Sequence, residues 1–224
     1  MEKTVLITGA SRGIGLALAK CFLNNNYNVI GTSTSGKIED FSHSNFKILK
    51  LELSDENSIN NIAVFLKYNT IEIDILVNNT GIGPDLDTLK PDIESFKKTF
   101  DVNVTGTVFL TEALLPHIKT GGKIINISSK MGSIDMCVLA DSTAYRMSKT
   151  ALNMYTKILS NRLINQQNIA SVHPGWVRTN ISVNSSINGR LSADDSGSKI
   201  YNFIISDFET GIFWNIETDS EIDW

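Results

Sequence analysis

The sequence predicts a single α/β domain, residues 1–224, whose doubly wound parallel sheet of about seven strands is flanked by helices. Short strand-like runs alternate with segments of helical spacing, which is the order of βαβ units. The runs are short and apolar without strict alternation, as expected of strands covered on both faces. No repeat, linker or low-complexity tract divides the chain, and its length suits one domain.

Six runs are predicted as strands, at residues 4–8, 27–32, 47–53, 71–78, 123–127 and 168–173. Two of the intervening helices are marked by apolar residues at helical intervals, namely Ile14, Leu18, Phe22 and Leu23, and then Ile59, Ile62, Phe65 and Leu66. Residues 180–195 are rich in Ser, Asn and Gly and are predicted as a loop.

Composition excludes several classes of protein. A net charge of −4 gives no electrostatic case for binding nucleic acid or an anionic membrane. Two cysteines and three scattered histidines predict neither a disulfide framework nor a metal site, and packing is favoured over reactivity for Cys137. The first residues lack the apolar region of a signal peptide, and no run approaches the roughly 18 apolar residues of a membrane span. We therefore expect a cytoplasmic protein.

A glycine-rich turn follows the first predicted strand and opens the first helix. Glycines there let a pyrophosphate approach the backbone N–H groups and the positive end of the helix dipole. The spacing, Gly-x-x-x-Gly-x-Gly, differs from the usual dinucleotide fingerprint, so an ordinary turn remains an alternative. The residues predicted to hold a cofactor are Gly9, Ser11, Arg12, Gly13, Ile14 and Gly15.

The end of the second strand bears on the choice of cofactor. NAD-binding proteins commonly carry a carboxylate here for the ribose 2′-hydroxyl, but none occurs before Glu39. Ser33, Thr34, Arg12 and Lys37 offer hydroxyls and cations that suit a 2′-phosphate. NADP is therefore favoured over NAD, with a plain polar turn as the competing interpretation.

Tyr145 and Lys149 are four residues apart, so a helix presents both on one face. A nearby ammonium favours the phenolate and is expected to lower the tyrosine pKa, which makes it usable in acid–base catalysis. Ser129 ends the fifth strand and could polarise the substrate oxygen that Tyr145 protonates. The alternative is that Tyr145 and Lys149 simply lie on the solvent side of an amphipathic helix.

Three further motifs follow strand ends or interrupt a helix. Asn79, Thr80 and Gly81 suit a cofactor crevice beyond the fourth strand, although they would also make a plain turn. Asn103 lies within a mostly apolar helical stretch, where it either bridges backbone and water or takes part in catalysis. Residues 173–179 form an abrupt His-Pro-Gly turn suited to a ring-shaped ligand.

Together and in this order, these motifs resemble the short-chain dehydrogenase/reductase family, most nearly its sniffer and C-factor-like carbonyl reductase branch. The similarity covers almost the whole chain. It implies a Rossmann-type fold and an enzyme in which NADPH delivers hydride to a carbonyl carbon. It also implies a small-molecule carbonyl or alcohol substrate and, for many members, a homodimer or homotetramer.

Residue by residue, the resemblance implies that Tyr145 donates the proton, Ser129 holds the carbonyl oxygen and Lys149 binds the nicotinamide ribose. Asn103 would hold a water in a proton relay to Lys149. Ser128 is the alternative to Ser129, because the Ser129–Tyr145 gap is longer than the common pattern. Cofactor contacts are further implied for Glu52, Leu53, Asn79, Thr80, Gly81, Tyr145, Lys149, Pro174, Gly175, Val177 and Thr179.

Two other functions remain open from the sequence. One is an NAD-dependent alcohol dehydrogenase on the same scaffold. The other is a C-factor-like signalling or nucleotide-sensing protein that turns over little, although the intact Tyr145 and Lys149 favour an enzyme. The segment with Met131, Met136, Val138 and Leu139 predicts a hydrophobic aldehyde, ketone or quinone as substrate.

Overall fold

The computed structural model describes residues 3–224. Its strands are β1 (Thr4–Ile7), β2 (Asn28–Ser33), β3 (Phe46–Lys50), β4 (Ile73–Asn78), β5 (Ile118–Ile127), β6 (Asn168–His173), β7 (Ile212–Asn215) and β8 (Ser220–Glu221). Its α-helices are α1 (Gly13–Asn24), α2 (Glu56–Tyr68), α3 (Ile93–Phe100), α4 (Thr107–Leu114), α5 (Thr143–Arg162), α6 (Val183–Asn188) and α7 (Ala193–Ile205). A π-helical turn, Asp101–Gly106, joins α3 to α4.

The strands form one sheet in the order β3-β2-β1-β4-β5-β6-β7-β8. The first seven strands are parallel and β8 runs antiparallel to β7. The predicted doubly wound parallel sheet is therefore confirmed. The strand order reverses between β1 and β4, and in such sheets a crevice opens at that point beyond the carboxyl ends of the strands.

Helices cover both faces of the sheet because neighbouring residues of one strand face opposite sides. Val5 and Ile7 of β1 pack with α1 and α7, whereas Leu6 between them packs with α2, α4 and α5. All three side chains are fully buried. An apolar run in a buried strand thus contributes alternate residues to the two hydrophobic cores, one on each face of the sheet.

Besides shifts of one or two residues at strand ends, the structure departs from the sequence prediction at four places. β7 and β8 were not located, because each is short and partly exposed. β5 begins at Ile118 rather than at residue 123, since a bulge and two glycines interrupt its apolar pattern. β3 ends at Lys50 rather than at residue 53.

The fourth departure is the predicted loop 180–195, which contains α6 and the start of α7. Serine caps explain both helices: Ser182 accepts a hydrogen bond from the Ser185 N–H, and Ser192 forms a reciprocal capping box with Asp195. Within residues 3–224, no helix has the length and hydropathy that a bilayer crossing requires. Over the same range, no three His, Cys, Asp or Glu side chains cluster as metal ligands.

His173, the last residue of β6, is expected to make the free energy of unfolding depend on pH. Its side chain is buried, and neither ring nitrogen has a hydrogen-bond partner among the described residues. Burial and the nearby Lys130 lower the His173 pKa to about 4, whereas the unfolded chain takes up the proton near pH 6.5. The native state is therefore penalised as pH falls below the unfolded value, by up to about 3 kcal/mol.

We expect the free energy of unfolding of the wild-type protein to fall between pH 6.5 and 4 more steeply than that of the His173→Gln variant. Urea titrations of both proteins at several pH values measure the difference. A difference that stays constant across this range would contradict the burial of a neutral imidazole.

Candidate active site

Tyr145 and Lys149 lie one turn apart on α5, on the face that meets the carboxyl end of β5. Both are buried, with 8% and 3% of their surface exposed. The Lys149 Nζ is 5.6 Å from the centre of the Tyr145 ring and donates a hydrogen bond of 2.8 Å to the carbonyl of Ile127. The alternative of two side chains on the solvent side of a helix is wrong.

Ser129, which follows β5, is the hydroxyl that faces this pair. Its side chain hydrogen-bonds with the Tyr145 phenol, and its Oγ accepts a hydrogen bond from the Met131 N–H at 3.2 Å. Ser128 points elsewhere, because its Oγ donates to Asn153 Oδ1 at 2.6 Å. Of the two serines, Ser129 is therefore the one in position to share a ligand oxygen with Tyr145.

Burial sets the protonation of the pair. It raises the pKa of Tyr145 to about 12, although the hydrogen bond from Ser129 opposes the change. It lowers the pKa of Lys149 to about 8. The expectation of a lowered tyrosine pKa is wrong for this state, because loss of water raises it. At neutral pH Tyr145 carries a proton and Lys149 is mostly charged.

Asn103 lies in the π-helical turn with 1% of its surface exposed. Its Oδ1 accepts from the Ile82 N–H, and its Nδ2 donates to the Ile82 carbonyl, both at 2.8 Å. The same Nδ2 donates to Ser148 Oγ at 3.1 Å, so Asn103 joins the segment after β4 to α5. A Cβ added at Gly81 would lie within 4 Å of both Asn103 Oδ1 and Lys149 Nζ. That Asn103 holds a water in a proton relay to Lys149 stays a prediction.

The glycine turn has the backbone that the sequence predicts. Gly9 and Gly13 have φ values of +66° and +57°, in the left-handed region that favours glycine. A Cβ at Gly15 would lie 2.3 Å from the carbonyl oxygen of Gly9. Ser11, Arg12 and Ile14 occupy this turn or the start of α1.

Hydrogen bonds fasten the glycine turn to the segment after β4. The Asn79 amide donates to the Thr8 carbonyl at 2.8 Å. Thr8 Oγ1 accepts from the N–H groups of Asn79 and Thr80, both at 2.9 Å. Residues predicted separately for one crevice therefore meet, and Asn79 has a structural role in addition to its predicted cofactor contact.

The turn after β2 presents the polar groups predicted for a 2′-phosphate. Thr34, Arg12 and Lys37 are exposed, and the ion pairs recorded for residues 3–224 include neither cation. Ser33 is less available, because its Oγ donates to the Lys37 carbonyl at 3.1 Å. At the neighbouring strand end, Glu52 accepts from Ser54 Oγ at 3.0 Å. Leu53 is buried against Gly106.

The turn that follows β6 closes towards the glycine turn. Gly175 has a φ of +78°, and the Pro174 carbonyl accepts a hydrogen bond from Ser196 Oγ at 2.8 Å. Val177 forms a parallel bridge with Leu191. A Cβ added at Gly13 would lie 3.8 Å from Thr179 Cγ2. The structure thus brings the predicted residues of both turns to one edge of the sheet.

The segment between β5 and α5 is exposed, and its predicted part in a substrate pocket stays a prediction. Val138 and Leu139 are 88% and 62% exposed, and Cys137 is also exposed. The packing role predicted for Cys137 is therefore wrong. Ser133 anchors the base of the segment, because its Oγ donates to the Asp223 carbonyl at 2.7 Å. No sequence motif marks this long-range contact.

A cavity of about 620 Å³ lies between α7 and the β7–β8 hairpin, with Phe203, Phe208 and Trp214 in its wall. None of the predicted site residues lines it. The candidate active site is therefore identified by its side chains and its place on the sheet rather than by cavity size.

Comparison with known proteins identifies the family. The short chain dehydrogenase family profile matches residues 3–188. An uncharacterised oxidoreductase of Schizosaccharomyces pombe is 33% identical over 181 residues, covering 79% of this chain and 61% of the yeast protein.

Two solved structures are similar over the whole of this chain. The carbonyl reductase Sniffer of Drosophila melanogaster has a TM-score of 0.87 at 27% identity, with all of both chains covered. An NADPH-bound carbonyl reductase from chicken fatty liver has a TM-score of 0.89 at 27% identity, with 94% of that chain covered. The chain described here belongs to the short-chain dehydrogenase family of oxidoreductases.

Proposed function

We propose that this protein is an NADPH-dependent carbonyl reductase. The observation that carries the proposal is the convergence of the Ser129 hydroxyl, the Tyr145 phenol and the Lys149 ammonium at the carboxyl end of β5. The likeness to two carbonyl reductases, one of them bound to NADPH, supports the same conclusion.

The residues at the sheet edge fit NADPH. Gly9, Gly13 and Gly15 leave the backbone of the turn open to a pyrophosphate at the start of α1. The exposed Arg12 and Lys37 supply positive charge for a 2′-phosphate, whereas the turn after β2 carries no carboxylate before Glu39. Lys149 and the turn at 174–179 would hold the nicotinamide end.

In the mechanism, bound NADPH supplies the hydride that reduces the carbonyl carbon. Ser129 and Tyr145 hold the carbonyl oxygen between their hydroxyls and stabilise the negative charge that develops on it. Tyr145 then donates its phenolic proton to that oxygen, giving the alcohol. Lys149 stabilises the resulting phenolate by its charge. Asn103 fixes the backbone beside Lys149 and is proposed to hold the relay water through which Tyr145 is reprotonated.

The two alternative functions are less favoured. An NAD-dependent alcohol dehydrogenase lacks support from the turn at 31–37, which offers hydroxyls and a cation instead of a carboxylate. A low-turnover sensor has no need for a buried ammonium beside a protonated phenol. Tyr145 and Lys149 are both intact and buried at this site, which favours an enzyme over a sensor.

We also propose a cytoplasmic protein that self-associates as a homodimer or homotetramer. Free thiols at Cys21 and Cys137 suit a reducing compartment. Exposed apolar side chains on α4 and α5, namely Phe109, Met147, Met154 and Ile158, support an interface between copies of the chain.

Replacement of Tyr145 by Phe should lower kcat for reduction of aldehydes or quinones by about 10²- to 10⁴-fold, because the proton donor is lost. The dissociation constant for NADPH should change little. Tyr155→Phe on the same helix is the matched control, since the Tyr155 hydroxyl bonds to Glu112 away from the site. Equal activity of the Tyr145→Phe variant and the wild-type protein would exclude the proposed role.

Replacement of Gly9 by Ala should weaken NADPH binding at least about tenfold, because the new Cβ would lie 2.9 Å from Thr80 Oγ1 in the turn that meets the cofactor. Gly121→Ala is the matched control. Gly121 has a similar φ of +80° but open space around it, so the two variants share backbone strain. Fluorescence titration with NADPH measures both. If the two variants bind NADPH equally well, the glycine turn is not the cofactor site.

We expect NADPH to bind more tightly than NADH, and Arg12→Ala to reduce that ratio by about tenfold, because one charge-assisted contact to the 2′-phosphate is removed. Lys20→Ala, about two turns further along α1, is the control, since its ammonium packs over Phe41. Calorimetric titrations with both dinucleotides give the ratio. Tighter binding of NADH by the wild-type protein would reverse the assignment of the cofactor.

A further inference from the structure

Asp85 is a buried carboxylate that the sequence did not mark as functional. It lies in the loop between β4 and α3, and 3% of its surface is exposed. Its Oδ2 accepts a hydrogen bond of 2.6 Å from the Ala144 N–H. Both of its oxygens accept from the Tyr145 N–H, at 3.2 and 3.3 Å. The carboxylate therefore binds the first turn of the helix that carries Tyr145 and Lys149.

Residues next to this helix end do not cap it. Ser142, immediately before α5, has a left-handed φ of +57° and makes no side-chain cap. Its hydroxyl instead accepts from the Asp87 N–H at 3.0 Å. Asp141 is paired with Arg146 at 2.7 Å. Because first-turn N–H groups need acceptors, Asp85 supplies from a distant loop what the local sequence does not.

The same loop packs directly on the Tyr145 ring. A Cβ added at Gly83 would lie 3.0 Å from Tyr145 Cδ2 and 2.5 Å from Leu86 Cδ1. Movement of Asp85 would thus shift both the backbone of Tyr145 and the loop residues, such as Gly83, that pack against the Tyr145 ring. The Asn103 bonds to Ile82 hold the loop at its other end.

We propose that Asp85 is a positioning residue for carbonyl reduction: its carboxylate fixes the first turn of α5 so that the Tyr145 phenol meets Ser129, and its charge adds to burial in disfavouring the phenolate. The inference rests on the proposed function, in which Tyr145 is the proton donor.

The electrostatic part follows from the charges around the ring. Lys149, on the same helix, and the positive end of the α5 dipole both favour the phenolate. The hydrogen bond from Ser129, on the β5 side, does so as well. Asp85, from the β4 side, opposes all three and adds to the effect of burial in raising the Tyr145 pKa.

The test compares Asp85→Asn with the wild-type protein. The variant keeps the shape of the side chain and loses its charge. We expect kcat at neutral pH to fall at least about tenfold, because the phenol is no longer held beside Ser129, whereas the dissociation constant for NADPH should change little. A role in folding alone would lower kcat and weaken NADPH binding together.

Asp92→Asn is the matched control. Asp92 caps α3 in the same manner, accepting from the N–H groups of Glu94 and Ser95, but it lies on another helix and is exposed. This variant should leave both kcat and the dissociation constant for NADPH unchanged.

A second readout does not need turnover. Ultraviolet titration of tyrosinate, taken as the difference between each protein and the same protein carrying Tyr145→Phe, follows Tyr145 over the pH range in which circular dichroism shows a folded chain. Ionisation should begin about one pH unit lower in Asp85→Asn. If Asp85→Asn does not fold, Asp85→Ser, which retains an uncharged acceptor, replaces it with the same expectation.

The same onset in both proteins, or no ionisation of Tyr145 in either, overturns the proposal. This titration also separates the two proposals. A wild-type protein that turns over no carbonyl compound would refute the reductase, whereas the effect of Asp85 on Tyr145 would still be measured.

Discussion

The ammonium group of Lys149 is buried, and its hydrogen bond to the carbonyl of Ile127 offsets part of the free energy lost when the charge leaves water. A buried charge without a partner would cost several kcal/mol or lose its proton. The bond also fixes α5 against the end of β5, because it joins a residue in the first half of the helix to the last residue of the strand. The positions of Tyr145 and Ser129 relative to each other follow from this contact.

A chain of buried polar side chains supports the same edge of the sheet. Asn78 donates to Thr111 Oγ1 and to Asn126 Oδ1, both at 2.8 Å. Asn126 donates to Thr156 Oγ1 at 2.8 Å, and Thr156 in turn bonds with Ser171. These contacts tie β4, β5 and β6 to α4 and α5. They hold α4 and α5 in one register on the sheet. A shift of either helix would leave a buried polar group without its hydrogen-bond partner, which would lower the free energy of unfolding.

Sequence reasoning succeeded where a local pattern determines the structure. β1 is predicted because three of its four residues are apolar, and the glycine turn is predicted because Gly9 and Gly13 lie where a tight turn must follow that strand. It failed where tertiary contacts decide. β7 carries only four residues, and α6 depends on a serine cap in a stretch of loop-like composition.

The electrostatics of the site were the hardest to anticipate. Four-residue spacing shows that Tyr145 and Lys149 share a helix face, but it does not show how deeply they are buried, so the direction of the tyrosine pKa shift was predicted wrongly. Asp85 was missed because its partners are about 60 residues away, as the separation of the Asp85–Tyr145 hydrogen bond shows. No rule based on neighbouring residues would connect them.

The most direct measurement follows the hydride itself. NADPH carrying deuterium at the transferable position of its nicotinamide is incubated with the protein and a series of aldehydes, ketones and quinones, and the products are analysed by mass spectrometry. The account predicts an alcohol with one deuterium on the former carbonyl carbon for at least one aldehyde or ketone, and consumption of one NADPH per alcohol. Tight binding of NADPH without deuterated product from any aldehyde or ketone would contradict it.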